Sequence, residues 1–275
     1  MNARDAVNAI PRETFIPEVI WTYRDDGWSV PVRRDREPER WAELAGSGDS
    51  IVIQMDDGRA VEKGAWPTSS STAPEGIVTV IEALDLRPGM RILEIGAGSG
   101  FNAAVLAFLL GAENVTTVDI DRALADHARQ ALDRAGYPVE VITGDGTKGH
   151  APGAPFDRIV ATASVHTLPY AWVQQTVPGG IVLAPWAATF HPDCPLAKLT
   201  VRDDGSAEGR FIGPGFYMPV RDQRVSQRVM QETKKRWAKA GHPDCTRYGV
   251  TVTPEGQRIW LDSPERHVAP LTEWR

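Results

Sequence analysis

Residues 92–100 read ILEIGAGSG: a short apolar run that ends in glycines at alternate positions, followed at once by the apolar stretch Phe101–Leu110. The run predicts a buried strand and the stretch after it a helix, closed by Gly111. Glycines at the junction let the backbone turn sharply and approach a ligand closely. A dinucleotide site spaces them G-x-G-x-x-G, so that a pyrophosphate sits on the helix N-terminus. Here the spacing is G-x-G-x-G with Glu94 just before it. That suits a ligand with an amino-acid end, because Glu94 lies where an ammonium group binds; a nicotinamide cofactor stays open on the loop alone.

The flanking segments extend the pattern. Apolar residues at helical spacing fill Glu75–Leu84. Strands are expected over Met90–Ile95, Val115–Val118, Val139–Thr143, Asp157–Ala161 and Ile181–Ala184. Helices are expected over Ala123–Ala135 and Trp172–Val177, the second ended by Pro178-Gly179-Gly180. Strands alternating with helices imply a doubly wound parallel sheet. Asp119 closes the second strand, about twenty residues after the glycines, where a carboxylate accepts ribose hydroxyls. Asp145 closes the third and can accept from an adenine amino group. Three ligand features at successive strand ends favour an adenosyl ligand with an amino-acid end.

Around this core, residues 1–75 read as small helices, an isolated strand pair and loops, with Trp66–Pro74 (WPTSSSTAP) as a loop. Leu196–Val201 and Ala207–Ile212 flank Asp203-Asp204-Gly205, a hairpin signal. Residues 221–239 look helical and basic, and residues 247–261 form a further hairpin around Pro254-Glu255-Gly256. The division expected is a substrate-binding part, 1–75; a cofactor-binding part, 76–220; and a small α+β extension, 221–275.

A net charge of −6 repels phosphate backbones, which argues against nucleic acid as a partner. The longest apolar stretch, Ala103–Leu110, is too short to span a bilayer. Two cysteines make no disulfide framework, and the first residues lack a signal-peptide pattern, so a cytoplasmic location is expected.

Taken together, RILEIGAGSGFNAAVLA, VDID, GDGTKG, APFDRIVATASV and VPGG, with IPRETFIP and SSTAP upstream, resemble the protein-L-isoaspartate O-methyltransferases over about residues 8–220. The resemblance implies a class I S-adenosylmethionine-dependent methyltransferase with a Rossmann-like α/β sheet. It implies a peptide or protein substrate bearing an aspartyl or isoaspartyl carboxylate, and S-adenosylhomocysteine as product. By position, Glu94, Gly96, Ala97, Gly98, Asn102, Asp119, Ile120, Asp145, Gly146 and Thr162 would hold the cofactor, with no metal. The segments WPTSSSTAP, GSGDSIVIQ, FYMPVR and RYGVTVTPEGQRIWLDSPE look more like a divergent branch found with ATP-grasp ligases in peptide natural-product (graspetide) maturation. In that branch one aspartate of a modified peptide is esterified and collapses to an aspartimide. Thr72 stands where the family usually has serine, and Glu75 where repair enzymes commonly have histidine. Both departures favour a specialised substrate over general isoaspartate repair.

Methyl transfer to a carboxylate needs no strong base, since an aspartyl side chain is already ionised at neutral pH. Thr72, Ser71 and Ser70 are the candidates to hold it, although Thr72 would equally cap the next helix. His166, just past the fourth strand, is a candidate donor or an ordinary surface histidine. The basic run 221–239 reads as a solvated helix face or as a dock for an acidic peptide. His-Pro-Asp-Cys occurs twice, at 191–194 and 242–245. Its spacing is unusual for zinc, and coincidence is the favoured explanation.

Overall fold

The structure, a computed structural model, describes residues 2–271. The helices are α1 Ala3–Ala9, α2 Pro38–Ala45, α3 Pro74–Ala83, α4 Phe101–Leu110, α5 Arg122–Arg134, α6 Tyr170–Gln174 and α7 Gln227–Lys239. The first seven strands are β1 Val19–Tyr23, β2 Ser29–Arg33, β3 Ile51–Met55, β4 Pro67–Ser71, β5 Ile92–Ile95, β6 Val115–Asp119 and β7 Glu140–Thr143. The others are β8 Phe156–Ala161, β9 Thr176–Pro185, β10 Pro195–Val201, β11 Ala207–Pro214, β12 Tyr248–Thr253, β13 Gly256–Leu261 and β14 His267–Val268. No helix of the described residues is long and apolar enough to cross a membrane.

The described residues form two compact, discontinuous units, one of residues 2–90 and 96–146, the other of residues 91–95 and 147–271.

In the first unit β1–β4 form an antiparallel sheet in the order β2-β1-β3-β4. Residues 1–75 therefore hold four paired strands, where an isolated pair was expected. The WPTSSSTAP segment is corrected as well: it holds strand β4, paired with β3 from Ile51↔Ser71 to Met55↔Pro67. A proline can open a strand at a sheet edge, where its missing N–H costs no ladder bond, and β4 is that edge. Beneath the sheet, Ile16, Ile20, Val32, Trp41, Ala45, Ile51 and Ile53 form one buried cluster. Strands β6 and β7 pair in parallel, from Thr116↔Glu140 to Asp119↔Thr143. Helix α4 begins and ends where its sequence predicts and is buried along most of its length, from Phe101 to Leu110. Asp121 caps α5, accepting from the N–H groups of Ala123 and Leu124.

In the second unit β5, β8 and β9 run parallel, and β9 to β14 continue the sheet antiparallel. The sheet is thus mixed, and both hairpins expected after residue 195 are present. Pro178-Gly179-Gly180 does not end a helix: α6 stops at Gln174, and the three residues lie inside β9. They fill an irregularity where the register jumps from Phe156↔Thr176 to Arg158↔Ile181. Gly180 is tight there, since a Cβ would stand 2.7 Å from the Val177 carbonyl and 2.8 Å from that of Asp157.

Candidate functional site

The glycine loop is set by its own dihedrals. Gly96, Gly98 and Gly100 have φ of +102°, +53° and +86°, a region that favours residues without a Cβ. At Gly100 a second constraint acts: a Cβ would stand 3.2 Å from the Ala128 Cα, so α5 reaches the loop only because the side chain is missing. The turn closes with the Gly100 N–H donating to the Ala97 carbonyl, 2.8 Å. It delivers the chain into α4, where the first-turn Phe101 N–H donates to Ser99 Oγ at 3.4 Å. Asn102 stands in that turn.

The tips of β6 and β7 are fastened to this loop. The Gly96 N–H donates to the Val118 carbonyl at 2.7 Å, and the Gly144 N–H to that of Asp119 at 2.9 Å. The buried Asp119 carboxylate accepts from the Gly98 N–H through Oδ2 at 3.0 Å and from the Asp121 N–H through Oδ1 at 2.9 Å. Each carboxylate oxygen thus holds one backbone amide, one of the glycine loop and one of the turn after β6. Ile120, between two acidic residues, leaves 46% of its surface exposed. That is an apolar face available beside the carboxylate. Asp145 and Gly146 follow directly on the anchored Gly144, with Asp145 half-buried.

Strand β4 meets the same loop. From the position of a Gly98 Cβ, the Ser70 carbonyl lies at 3.6 Å and Ser69 Oγ at 3.7 Å. The first unit thus brings together the glycines, Ala97, Asp119 and the serine strand. Ser71 is turned away from this contact. It is buried, its hydroxyl accepting from Arg12 Nε at 3.2 Å and its carbonyl from Arg12 Nη2 at 2.8 Å. Thr72 stands one residue before the Ala73 N-cap of α3, so the capping role open to it in the sequence is not the one it takes. Glu75, in the first turn of α3, is held by both terminal nitrogens of Arg4.

The remaining candidates belong to the second unit. Glu94 is fully buried on β5. Thr162 holds the end of that strand, its hydroxyl and N–H both donating to the Ile95 carbonyl, at 3.1 and 2.9 Å. His166 is half-buried, with its ring Nδ1 at 3.0 Å from Thr167 Oγ1. Two glutamines fix its backbone: Gln223 Oε1 accepts the His166 and Thr167 N–H groups, each at 2.8 Å, and Gln257 Nε2 donates to the His166 carbonyl at 2.7 Å. The two His-Pro-Asp-Cys segments meet through aromatic packing. The His191 and Trp237 rings lie 5.2 Å apart, and those of Trp237 and His242 4.5 Å. Among the described residues no group of three or more His, Cys, Asp or Glu is placed to hold a metal ion.

Sequence reasoning missed Ser69, Arg12, Gln223 and Gln257. Arg12 does lie in the quoted IPRETFIP segment; for the glutamines no local signal exists.

The family model described as protein-L-isoaspartate(D-aspartate) O-methyltransferase matches residues 54–225. A protein-L-isoaspartate O-methyltransferase of Hyperthermus butylicus is 36% identical over 229 residues, 80% of each chain. A solved protein-L-isoaspartate O-methyltransferase superposes with a TM-score of 0.66 at 18% identity, covering 96% of both chains. A Plasmodium falciparum structure, described as a putative member and solved with S-adenosyl-L-homocysteine, reaches 0.50 at 14% identity over 80% of this chain and 99% of that one. The two superpositions establish the class I methyltransferase fold.

Proposed function

Since the chain belongs to the protein-L-isoaspartate O-methyltransferase family, a family of S-adenosylmethionine-dependent carboxyl methyltransferases, we propose that it esterifies an aspartyl or isoaspartyl carboxylate in a peptide or protein. The observation that carries this reading is the meeting of β4 with the glycine loop: Ser69 and Ser70 lie at contact distance from the Gly98 position, and Asp119 holds the Gly98 amide. A hydroxyl-rich strand that can receive an acceptor carboxylate therefore borders a loop shaped for a cofactor.

The residues present fit the cofactor. Three positive-φ glycines leave the loop backbone without side chains, and Asp119 is aimed by two amides. When bound, S-adenosylmethionine supplies an electrophilic sulfonium methyl, whose carbon–sulfur bond breaks as the ester bond forms. The protein's part is placement. Ser70 and Thr72 hold the carboxylate by hydroxyl and backbone donors, already ionised, with one oxygen directed at the methyl. Correct placement in a site closed to water is worth orders of magnitude in rate. Exposed Trp66, directly before β4, offers an apolar contact for a polypeptide rather than a small metabolite.

General isoaspartate repair is the better supported form of this activity, because the matched family model and relatives carry that name. A second form has one observation behind it: Glu75, where repair enzymes commonly have histidine, is paired with Arg4. This departure favours a dedicated peptide, matured through an ester that expels methanol to give a succinimide.

One experiment tests both. The protein is incubated with S-adenosylmethionine and an isoaspartyl peptide, its aspartyl counterpart, or a constrained aspartyl peptide, and products are read by mass spectrometry. A methyl gain on the isoaspartyl peptide, followed by loss of methanol, supports repair; methylation of the constrained peptide alone supports the dedicated role. No methyl gain on any of them refutes carboxyl transfer to peptides.

A further inference from the structure

Arg12 is an internal cation that the proposed chemistry has not used. It sits just after α1 and is only 6% exposed. Its Nε donates to Ser71 Oγ at 3.2 Å and its Nη2 to the Ser71 carbonyl at 2.8 Å. Its Nη1 donates to the carbonyls of Ser47 at 3.1 Å and Asp49 at 2.8 Å. All four acceptors are uncharged, and among the described residues no carboxylate forms an ion pair with it. Burial lowers its pKa to about 10, with the field of the exposed Asp49 carboxylate opposing, so the group is still a cation at neutral pH.

Burying a charge without a counter-ion is costly. Beside its four hydrogen bonds, the guanidinium adds a positive potential at β4 and a polarised peptide unit. The Ser71 carbonyl that it holds belongs to the same peptide group as the Thr72 N–H, and a charged donor on the oxygen strengthens the N–H as a donor. Ser70 and Thr72, on either side of Ser71, are the groups read above as the acceptor site.

Resting on that reading, we propose that Arg12 is a positioning residue for the acceptor carboxylate, an internal counter-charge acting through Ser71 that makes the Ser70–Thr72 segment selective for an anion. The substrate would complete the charge balance that the protein leaves open.

The test compares an isoaspartyl peptide, as substrate, with the same peptide carrying a carboxamide at that position, as competitive inhibitor. The wild type should bind the carboxylate form on the order of tenfold more tightly. In Arg12→Gln the KM of the carboxylate peptide should rise about tenfold while the carboxamide Ki stays within about threefold. Arg12→Lys should recover most of the difference, and affinity for S-adenosylhomocysteine should be unchanged in both. Asp49→Asn removes the opposing field at an exposed side chain and should widen the carboxylate preference by about two- to threefold. That variant decides the matter should Arg12→Gln not fold. Parallel weakening of both peptides in Arg12→Gln, or an unchanged preference in Asp49→Asn, overturns the proposal. A wild type that methylates no peptide overturns the functional reading instead.

Discussion

Asp119→Asn separates what the carboxylate does for the fold from what it does for the ligand. In the native protein Oδ2 accepts from Gly98 and Oδ1 from Asp121, at 3.0 and 2.9 Å. An asparagine has one carbonyl oxygen and one NH2 group, so one of these amides must face a donor. The loss is one charge-assisted hydrogen bond with a buried N–H left over, about 1.5–3 kcal/mol. At roughly 2–4 °C per kcal/mol for a chain of this size, the unliganded variant should melt about 3–12 °C below wild type. Ligand linkage adds a second reading. S-adenosylhomocysteine at about a hundred times its Kd stabilises wild type by ~2.7 kcal/mol. If weakened ribose contacts raise Kd about thirtyfold, the same concentration contributes only ~0.9 kcal/mol to the variant. Thermal melts with and without S-adenosylhomocysteine, with calorimetric titration for Kd, measure both. A lower melting temperature with an undiminished ligand shift would make Asp119 a structural clamp only. Wild-type values for both would refute the argument altogether.

Three further outcomes are expected. Gly100→Ala should lose about 2–4 kcal/mol, because it adds a positive φ to a contact with the Ala128 backbone. Gly89→Ala, at φ +82° with nothing within 4 Å, should lose only about 1 kcal/mol, and equal denaturation midpoints for the two would disprove the contact. The buried His191 is held neutral: Nδ1 accepts the Asp193 N–H and Nε2–H donates to the Pro243 carbonyl, and burial pushes its pKa below the ordinary 6.5. The unfolded chain therefore binds the proton first, and this stability is complete above pH 6.5 and lost as pH falls through the folded pKa. His191→Gln should flatten the stability–pH curve below 6.5, and an unchanged slope there would place the titration elsewhere. Thr72→Val keeps the shape and removes the hydroxyl. It should lower kcat/KM about tenfold with little change in melting temperature, and unimpaired turnover would remove Thr72 from the acceptor site.

The sequence by itself determined the local pieces. ILEIGAGSG had to be strand, turn and helix, since glycine spacing and apolar runs act over a few residues. The hairpin at Asp203–Gly205 was legible for the same reason, and so was Asp119 as a strand end, whereas Asp145, read as closing the third strand, lies two residues beyond Thr143 where β7 stops. Tertiary structure decided what depends on distant partners. The serines of 67–71 form a strand only because β3 offers them an edge, and Pro178-Gly179-Gly180 remains inside β9 because β8 pairs on both sides of the irregularity. Arg12 and Ser71 are 59 positions apart, and His166 and Gln257 are 91. Side-chain hydrogen bonds across such separations leave no periodicity in the sequence. A strand tip can be read from its own residues, whereas the partner that orients it comes into place only when the chain is folded.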